Sequence, residues 1–331
     1  MKLASIETIK EIVPHNGADK LEIAKILGWQ SIVKKGEFKA GDKVVFVVID
    51  TILPNAPWSE FLADKNNPEK PIRLRTVKLR GEYSQGIVLP LSVLPENVQG
   101  WHESADVGGA LNIKKYEKEI PAQLSGEVLG GFPSFLAAQT DEDNGLSYPD
   151  LVDEVLKHDY ITVTKKLDGS SCTIIIEDKQ IKYVCSRRLS LKETEQNSFW
   201  NVARKLDLSA LSEGRYVIQG ELMGPGVQGN QLKLIEPELY VFQVSYNGEF
   251  YPYIDMVYEC RNVLQCKYVP HVDDFHTISP ISVEDLQKLA DSQMLPDGSA
   301  AEGIVVRPQS YINAGNGRPL SFKIINRNFK D

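Results

Sequence analysis

The chain has 331 residues, is 42% hydrophobic and 25% charged, and contains no low-complexity tract. That is the make-up of a soluble globular protein long enough for two separate cores. No apolar run approaches the ~18 residues that span a bilayer, and the N-terminus has no apolar signal-peptide centre. A cytoplasmic or nuclear protein, not secreted and with no membrane partner, is the expectation. Four cysteines (Cys172, Cys185, Cys260, Cys266) form no CxxC pair, and the five histidines show no HExxH spacing. A disulfide framework, a structural zinc site and Ser-His or metallohydrolase chemistry therefore have no support.

The net charge of −8 is unevenly spread. Residues 1–115 hold 16 Lys+Arg against 14 Asp+Glu, so the rest of the chain carries the acidic excess. Lys70, Arg73, Arg75, Lys78 and Arg80 place five positive charges in eleven residues with no acid among them. Such a cluster suits phosphate contacts, where counterion release adds affinity. A strand edge protected by solvated lysines reads the same way.

In chain order, Ile6–Val13, Glu22–Ile26, Gln30–Val33, Lys43–Val48, Ile72–Leu79 and Gly86–Leu89 are short apolar or alternating runs. Turn-formers separate them at Asn16-Gly17, Lys35-Gly36, Ala40-Gly41 and Pro54-Asn55. Strands at this spacing predict a small β-barrel over 1–115, and the OB-fold is the commonest nucleic-acid-binding barrel of that size. A Gly/Pro-marked linker is expected over 116–135. A helix is expected at Leu151–Lys157, then strands at Ile161–Lys166, Ser171–Ile176 and Ile181–Val184. A helix at Thr194–Lys205 should precede strands at Tyr216–Glu221 and Leu239–Val244. A last helix at Val283–Ala290 leads into strands at Gly303–Val306 and Leu320–Ile325. The pattern is α+β, without the strict βαβ alternation of a doubly wound sheet.

The chemistry concentrates in Val163-Thr-Lys-Lys-Leu-Asp-Gly-Ser-Ser-Cys-Thr-Ile174. Lys166 ends a strand, and Asp168-Gly169 makes the turn into the next. A lysine on so rigid a support can serve as a nucleophile once neutral, which requires lowering its usual pKa of about 10.4 by burial or by neighbouring cations. Four residues alone would equally describe a hairpin with a solvated lysine. Partners follow in order, however: Arg187-Arg188, Glu221 at the end of an apolar strand, Phe242, Glu302 before Arg307, and Lys323. A lone carboxylate ending an apolar strand is costly to bury without a task. Phe242 fits a core position as well as a stacking one.

This ordered set resembles the covalent nucleotidyltransferase superfamily of ligases and capping enzymes. KLDGSSCT, VCSRRLSLKET, QGELMGPGVQGN, AEGIVVRP and SFKIIN are similar to the fifth family of RNA ligases, as are two stretches of the first ~95 residues, so the likeness covers about residues 5–327. It implies an N-terminal OB-fold β-barrel followed by an ATP-grasp-like nucleotidyltransferase domain (136–331) of antiparallel sheets flanked by helices. It implies an ATP-dependent RNA ligase that joins 3′-hydroxyl and 5′-phosphate ends through lysyl-AMP, acting as a monomer on RNA or an RNA-containing nicked duplex. Lys166 would carry AMP, and main-chain groups near Lys165 would read adenine. Asp168 and Glu302 would hold hydrated Mg²⁺ or Mn²⁺, with Gly169 permitting the turn. Arg187 would lie by the ribose and the polynucleotide, Glu221 would meet a ribose hydroxyl, Phe242 would stack on adenine, and Lys323 would bind the α-phosphate. Lys70, Arg73, Arg75, Lys78 and Arg80 would grip the strand.

Many superfamily members carry two lysines two residues apart in the last motif. Here Ser321 and Ile325 flank Lys323, leaving Arg318 or Arg327 as candidates for the missing cation. No C-terminal OB domain follows, which favours an RNA ligase over DNA ligases and capping enzymes. A non-catalytic OB-containing nucleic-acid-binding protein is the reading outside enzymes.

Overall fold

The computed structural model describes residues 2–64, 67, 70–95, 102–116, 127–276, 281–310, 312, 314 and 318–330. It divides into two compact units, Met1–Glu119 with Leu146–Pro149, and Ile120–Gly145 with Asp150–Asp331.

The first unit is all β. Its strands are β1 (Ala4–Thr8), β2 (Glu11–Pro14), β3 (Leu21–Ile26), β4 (Trp29–Lys34), β5 (Lys43–Val47), β6 (Thr51–Leu53), β7 (Ile72–Leu74), β8 (Val77–Leu79), β9 (Glu82–Ser84), β10 (Ile87–Pro90) and β11 (Lys114–Lys115). They pair as β1-β5-β10, β2-β3-β4, β11-β6-β7 and β8-β9. This is the all-β make-up expected of an OB-fold, but pairings among the described residues form four small sheets rather than one closed ring. The apolar run at Ile6–Val13 is two strands, not one. β1 pairs with β5 and β2 with β3, and between them Ile9 N–H donates to Asp42 O and Lys10 N–H to Lys25 O, each a different neighbour. The chain changes sheets there without a glycine or proline to mark the break. Ile72–Leu79 divides the same way, β7 joining β6 and β8 joining β9.

The second unit holds β12 (Val128–Gly131), β13 (Asp143–Asn144), β14 (Tyr160–Lys166), β15 (Ser170–Glu177), β16 (Gln180–Cys185), β17 (Leu189–Leu191), β18 (Arg215–Met223), β19 (Glu238–Tyr246), β20 (Glu249–Phe250), β21 (Lys267–Tyr268), β22 (His271–His276), β23 (Gly303–Pro308) and β24 (Phe322–Ile325). Its helices are α1 (Pro149–Leu156), α2 (Ser198–Arg204), α3 (Tyr253–Asn262) and α4 (Val283–Asp291). One sheet runs β12-β17-β16-β15-β18-β19-β20, with β21 beside β19, and the other runs β13-β24-β23-β14-β22.

Alternation along the strands decides what faces where. In the first sheet Ile174, Ile176, Ile218, Leu222, Val241 and Val244 pack with Phe199 and Val202 of α2 and Met256 and Cys260 of α3. In the second, Ile161, Val163, Ile304, Val306, Phe322 and Ile324 pack with Val152 and Val155 of α1 and Leu286 and Ala290 of α4. The alternate positions, among them Lys166, Glu221, Arg307 and Lys323, are thereby turned away from the helices.

Helix α2 starts at Ser198 rather than Thr194 because the buried Asn197 caps it, its side-chain oxygen accepting from Phe199 N–H at 3.0 Å and Trp200 N–H at 3.2 Å. Helix α3 and strand β22 are absent from the sequence reading. The former buries only Met256 and Cys260, and the latter reads HVDDFH, with two acids in an edge strand.

Strand register depends on Gly303, which lies between Lys166 of β14 and Ile325 of β24. A Cβ there would collide with the Ile324 carbonyl and the Ile325 Cα, both backbone. Gly303→Ala should therefore cost about 1–3 kcal/mol, read as a melting temperature lowered by several degrees. Gly130→Ala on β12, where a Cβ meets open space, should stay within about 0.5 kcal/mol.

Candidate active site

Register alone gathers the site. β14 sets Lys166 opposite Gly303, so Glu302 is the residue just before β23. The ladder of β23 with β24 sets Val305 opposite Lys323. After the Asp168-Gly169 turn, β15 sets Ser171 opposite Glu221 of β18. The Lys166 ammonium lies 2.5 Å from Glu302 Oε2, with the two side chains only 20% and 17% exposed. Gly169 N–H donates to Glu221 Oε1 at 3.1 Å. A Cβ at Gly169 would strike the Leu222 carbonyl and the Met223 sulfur, so only glycine lets the turn approach β18 this closely. Gln231 donates to Asp168 Oδ2 at 3.0 Å.

The electrostatics correct one expectation. Lys166 was expected to be held neutral, yet here its amine is held charged. Burial pulls its pKa down, but the Glu302 and Glu221 carboxylates outweigh burial and raise it above the ordinary lysine value. Burial pushes the Glu221 carboxyl up to about 8, opposed by the Lys166 charge and reinforced by Glu302 and Asp168. Lys323 is shifted down, by burial first and by the Lys166 charge second. Glu302, Glu221 and Glu142 thus face one ammonium, with Asp168 beside Glu221.

A second cluster forms around Asp141, which sequence reasoning missed. Its Oδ1 lies 2.6 Å from Arg187 Nη2 and 3.7 Å from Lys323 Nζ, and its carbonyl accepts from Arg318 Nη1 at 3.3 Å. Of the two candidates for the missing cation, Arg318 therefore joins this cluster. Arg327 instead clamps Asp291 of α4 through Nε at 2.8 Å and Nη2 at 2.5 Å. Phe242 is half-buried and packs on Leu167, Met223, Val269, Leu295 and Ala301, as a core position would. Lys165 donates from Nζ to the Met294 carbonyl at 2.7 Å, and burial lowers its pKa.

A family model for RNA ligase matches residues 159–325, which contain every one of these groups except Asp141 and Arg327, and a model for an OB-fold domain matches residues 3–91. The chain belongs to the RNA ligase family. Three structures of Naegleria gruberi RNA ligase extend the likeness across the whole ligase. A lysine-to-alanine mutant with ATP and Mn superposes with a TM-score of 0.83 at 32% identity, covering 98% of this chain and 97% of that one. A glutamate-to-alanine mutant with AMP and Mn matches with the same values. The form with PPi gives 0.82 at the same identity and coverage. No curated protein matches in sequence.

In this ligase no three His, Cys, Asp or Glu side chains converge as a metal cage among the described residues. The donor set that is present, the Asp168 and Glu302 carboxylates beside a desolvated Glu221, fits a hard cation that keeps most of its water shell. A cavity of about 900 Å³ lies on the β18 and β19 face, lined by Arg215, Gln219, Ser245 and Asn247 and reaching Arg318 of the Asp141 cluster.

The five basic residues of the first unit do not form one uniform patch. Arg75, Lys78 and Arg80 are exposed, and Lys78 lies 4.9 Å over the Tyr83 ring. Lys70 is exposed and 3.9 Å from Asp64. Arg73 is turned inward, its side chain 12% exposed, bonded to Asp50 at 2.8 Å and stacked 3.5 Å over Tyr116.

The Glu221 shift carries a pH signature. The folded chain binds a proton at Glu221 that the unfolded chain, with its carboxyl near 4.5, has released. Stability from this group is full below pH 4.5 and is lost as pH rises through 8. Glu221→Gln, which keeps an acceptor for Gly169, should thus melt higher than wild type at pH 9 and show little gain at pH 5. A gap independent of pH would contradict the shift.

Proposed function

We propose that this ATP-dependent RNA ligase carries AMP on Lys166 and seals a 3′-hydroxyl to a 5′-phosphate in RNA or an RNA-containing nicked duplex. The observation carrying the assignment is the Lys166 amine fixed at a strand end, 2.5 Å from Glu302, with Glu221 and Lys323 close enough to shift its charge. Neighbouring structures that hold ATP, AMP, PPi and Mn support the nucleotide and the metal.

Each residue has a task in this reading. Phe242 offers the ring on which adenine stacks, and main-chain groups near Lys165 read its edge. Glu221 accepts from a ribose hydroxyl, and Arg187 lies on the ribose and polynucleotide side. Asp168 and Glu302 would hold Mg²⁺ or Mn²⁺, which when bound would offset the carboxylate charge and draw electron density from the α-phosphate. Released from Glu302, the Lys166 ammonium loses a proton to solvent, the neutral amine forms the N–P bond at the α-phosphorus, and the bond from that phosphorus to pyrophosphate breaks in line. Lys323 and Arg318 meet the charge that spreads over the phosphoryl oxygens. The lowered pKa of Lys323 marks a cation poorly matched by its present partners and ready for a phosphate. AMP then passes to the 5′-phosphate, and the 3′-hydroxyl displaces it.

Residues 1–115 serve as the OB-fold strand-binding domain, 116–135 as linker and 136–331 as the nucleotidyltransferase. The ligase is read as a monomer of the cytoplasm or nucleus, and no helix among the described residues is long and apolar enough to cross a membrane.

Incubation with α-labelled ATP and Mg²⁺ or Mn²⁺, followed by denaturing electrophoresis, should label the wild-type chain and leave Lys166→Ala unlabelled. Glu302→Gln should lower labelling by about 10²–10³. Label surviving Lys166→Ala refutes the assignment, and sealing of deoxyribose 3′ ends as readily as ribose ends refutes the RNA preference.

The first unit yields a separate expectation. Arg75→Ala, Lys78→Ala and Arg80→Ala should each weaken RNA binding and flatten its salt dependence by about one ion. Arg73→Ala should instead lower the melting temperature, with a smaller effect on the salt slope.

A further inference from the structure

Strand β19 is irregular at Phe242. In register with β18, Val241 faces Gly220 and Gln243 faces Gln219, so Phe242 is the extra residue of a bulge. Strand β21 pairs only with Tyr240 and Val241. Phe242 thus has no register partner in either ladder, and a carbonyl at such a position needs a donor if it is not to go unsatisfied.

The donor comes from the other sheet. Arg307 of β23 donates from Nη1 to the Phe242 carbonyl at 3.0 Å. Arg307 alternates with Ile304 and Val306, whose side chains pack towards α1 and α4, so it projects from the opposite face. Glu142 faces its charge. The residue after the bulge is pinned separately: Gln243 Nε2 donates to Gln219 Oε1 at 2.8 Å, and Gln219 Nε2 donates to the Ala138 carbonyl at 2.9 Å. Residue 242 is therefore held by Arg307 and residue 243 by Gln219. A bulge re-aims the side chain it carries, and here that side chain is the aromatic ring proposed to meet the base.

We infer that Arg307 is a positioning residue for the nucleobase, fixing the plane of Phe242 through its backbone carbonyl. This rests on the reading of Phe242 as the adenine platform. An arginine suits the task because its planar fork reaches one carbonyl while staying permanently charged, and a lysine would deliver a single mobile donor.

The test is steady-state self-adenylylation of the full chain with ATP, for wild type, Arg307→Gln, Phe242→Leu and the double variant. Arg307→Gln should raise the KM for ATP about tenfold, the scale of one base–aromatic stack, and leave the maximal rate within about threefold. In the Phe242→Leu background the same change should move KM less than about twofold, because two residues acting through one contact are not additive. Arg307→Lys should follow the same pattern at about threefold, and it decides the question if Arg307→Gln is not recovered folded. An equal factor in both backgrounds, or a loss confined to the maximal rate, overturns the inference. If wild type takes label but Phe242→Leu leaves KM unchanged, the platform and the Arg307 inference fall while Lys166 stands. If wild type takes no label, the ligase assignment itself fails.

Discussion

The ion pair between Lys166 and Glu302 is the constraint around which the second unit is built. It joins the end of β14 to the residue before β23, and Gly303 is required between them for the strands to close. An ammonium so little exposed is tolerable only because carboxylates face it. Those carboxylates also hold it charged, so the resting amine is no nucleophile. Chemistry must begin by changing the partners of Glu302. In the proposed reaction nucleotide and metal would do that together, coupling activation of the lysine to arrival of its substrate.

The same logic extends to the cations. Arg187, Lys323 and Arg318 converge on the carboxylate and carbonyl of Asp141. Two sheets supply the groups, one with Lys166, Arg307 and Lys323 and the other with Glu221 and Phe242. Each sheet buries alternate positions against its own helices. Placing chemistry on the remaining positions lets rigid strands, rather than loops, set the distances.

Much of this was legible in the sequence because strand ends and motif residues coincide. Lys166, Glu221, Glu302 and Lys323 each sit beside an apolar run with period two, and that pattern determines both the strand and the face. What escaped lacks such a pattern. Asp141 and Glu142 lie in a polar stretch, DEDN, that no periodicity marks. The Arg307 contact depends on a bulge, and register shifts leave no trace in composition. Arg73 looked like its basic neighbours, and only the fold shows it turned towards Asp50 and Tyr116. The alternating runs at Ile6–Val13 and Ile72–Leu79 hid a change of sheet, since a strand break without glycine or proline reads as continuous.

The most direct measurement follows the Lys166 amine itself. Competitive acetylation of the nucleotide-free ligase, read by mass spectrometry of the Lys166 peptide across pH, reports its charge. Held by Glu302 and Glu221, it should stay unreactive to higher pH than the exposed lysines, and Glu302→Gln should bring its reactivity to lower pH. A Lys166 that acetylates like a solvated lysine, with or without Glu302, would contradict the pairing on which the mechanism rests.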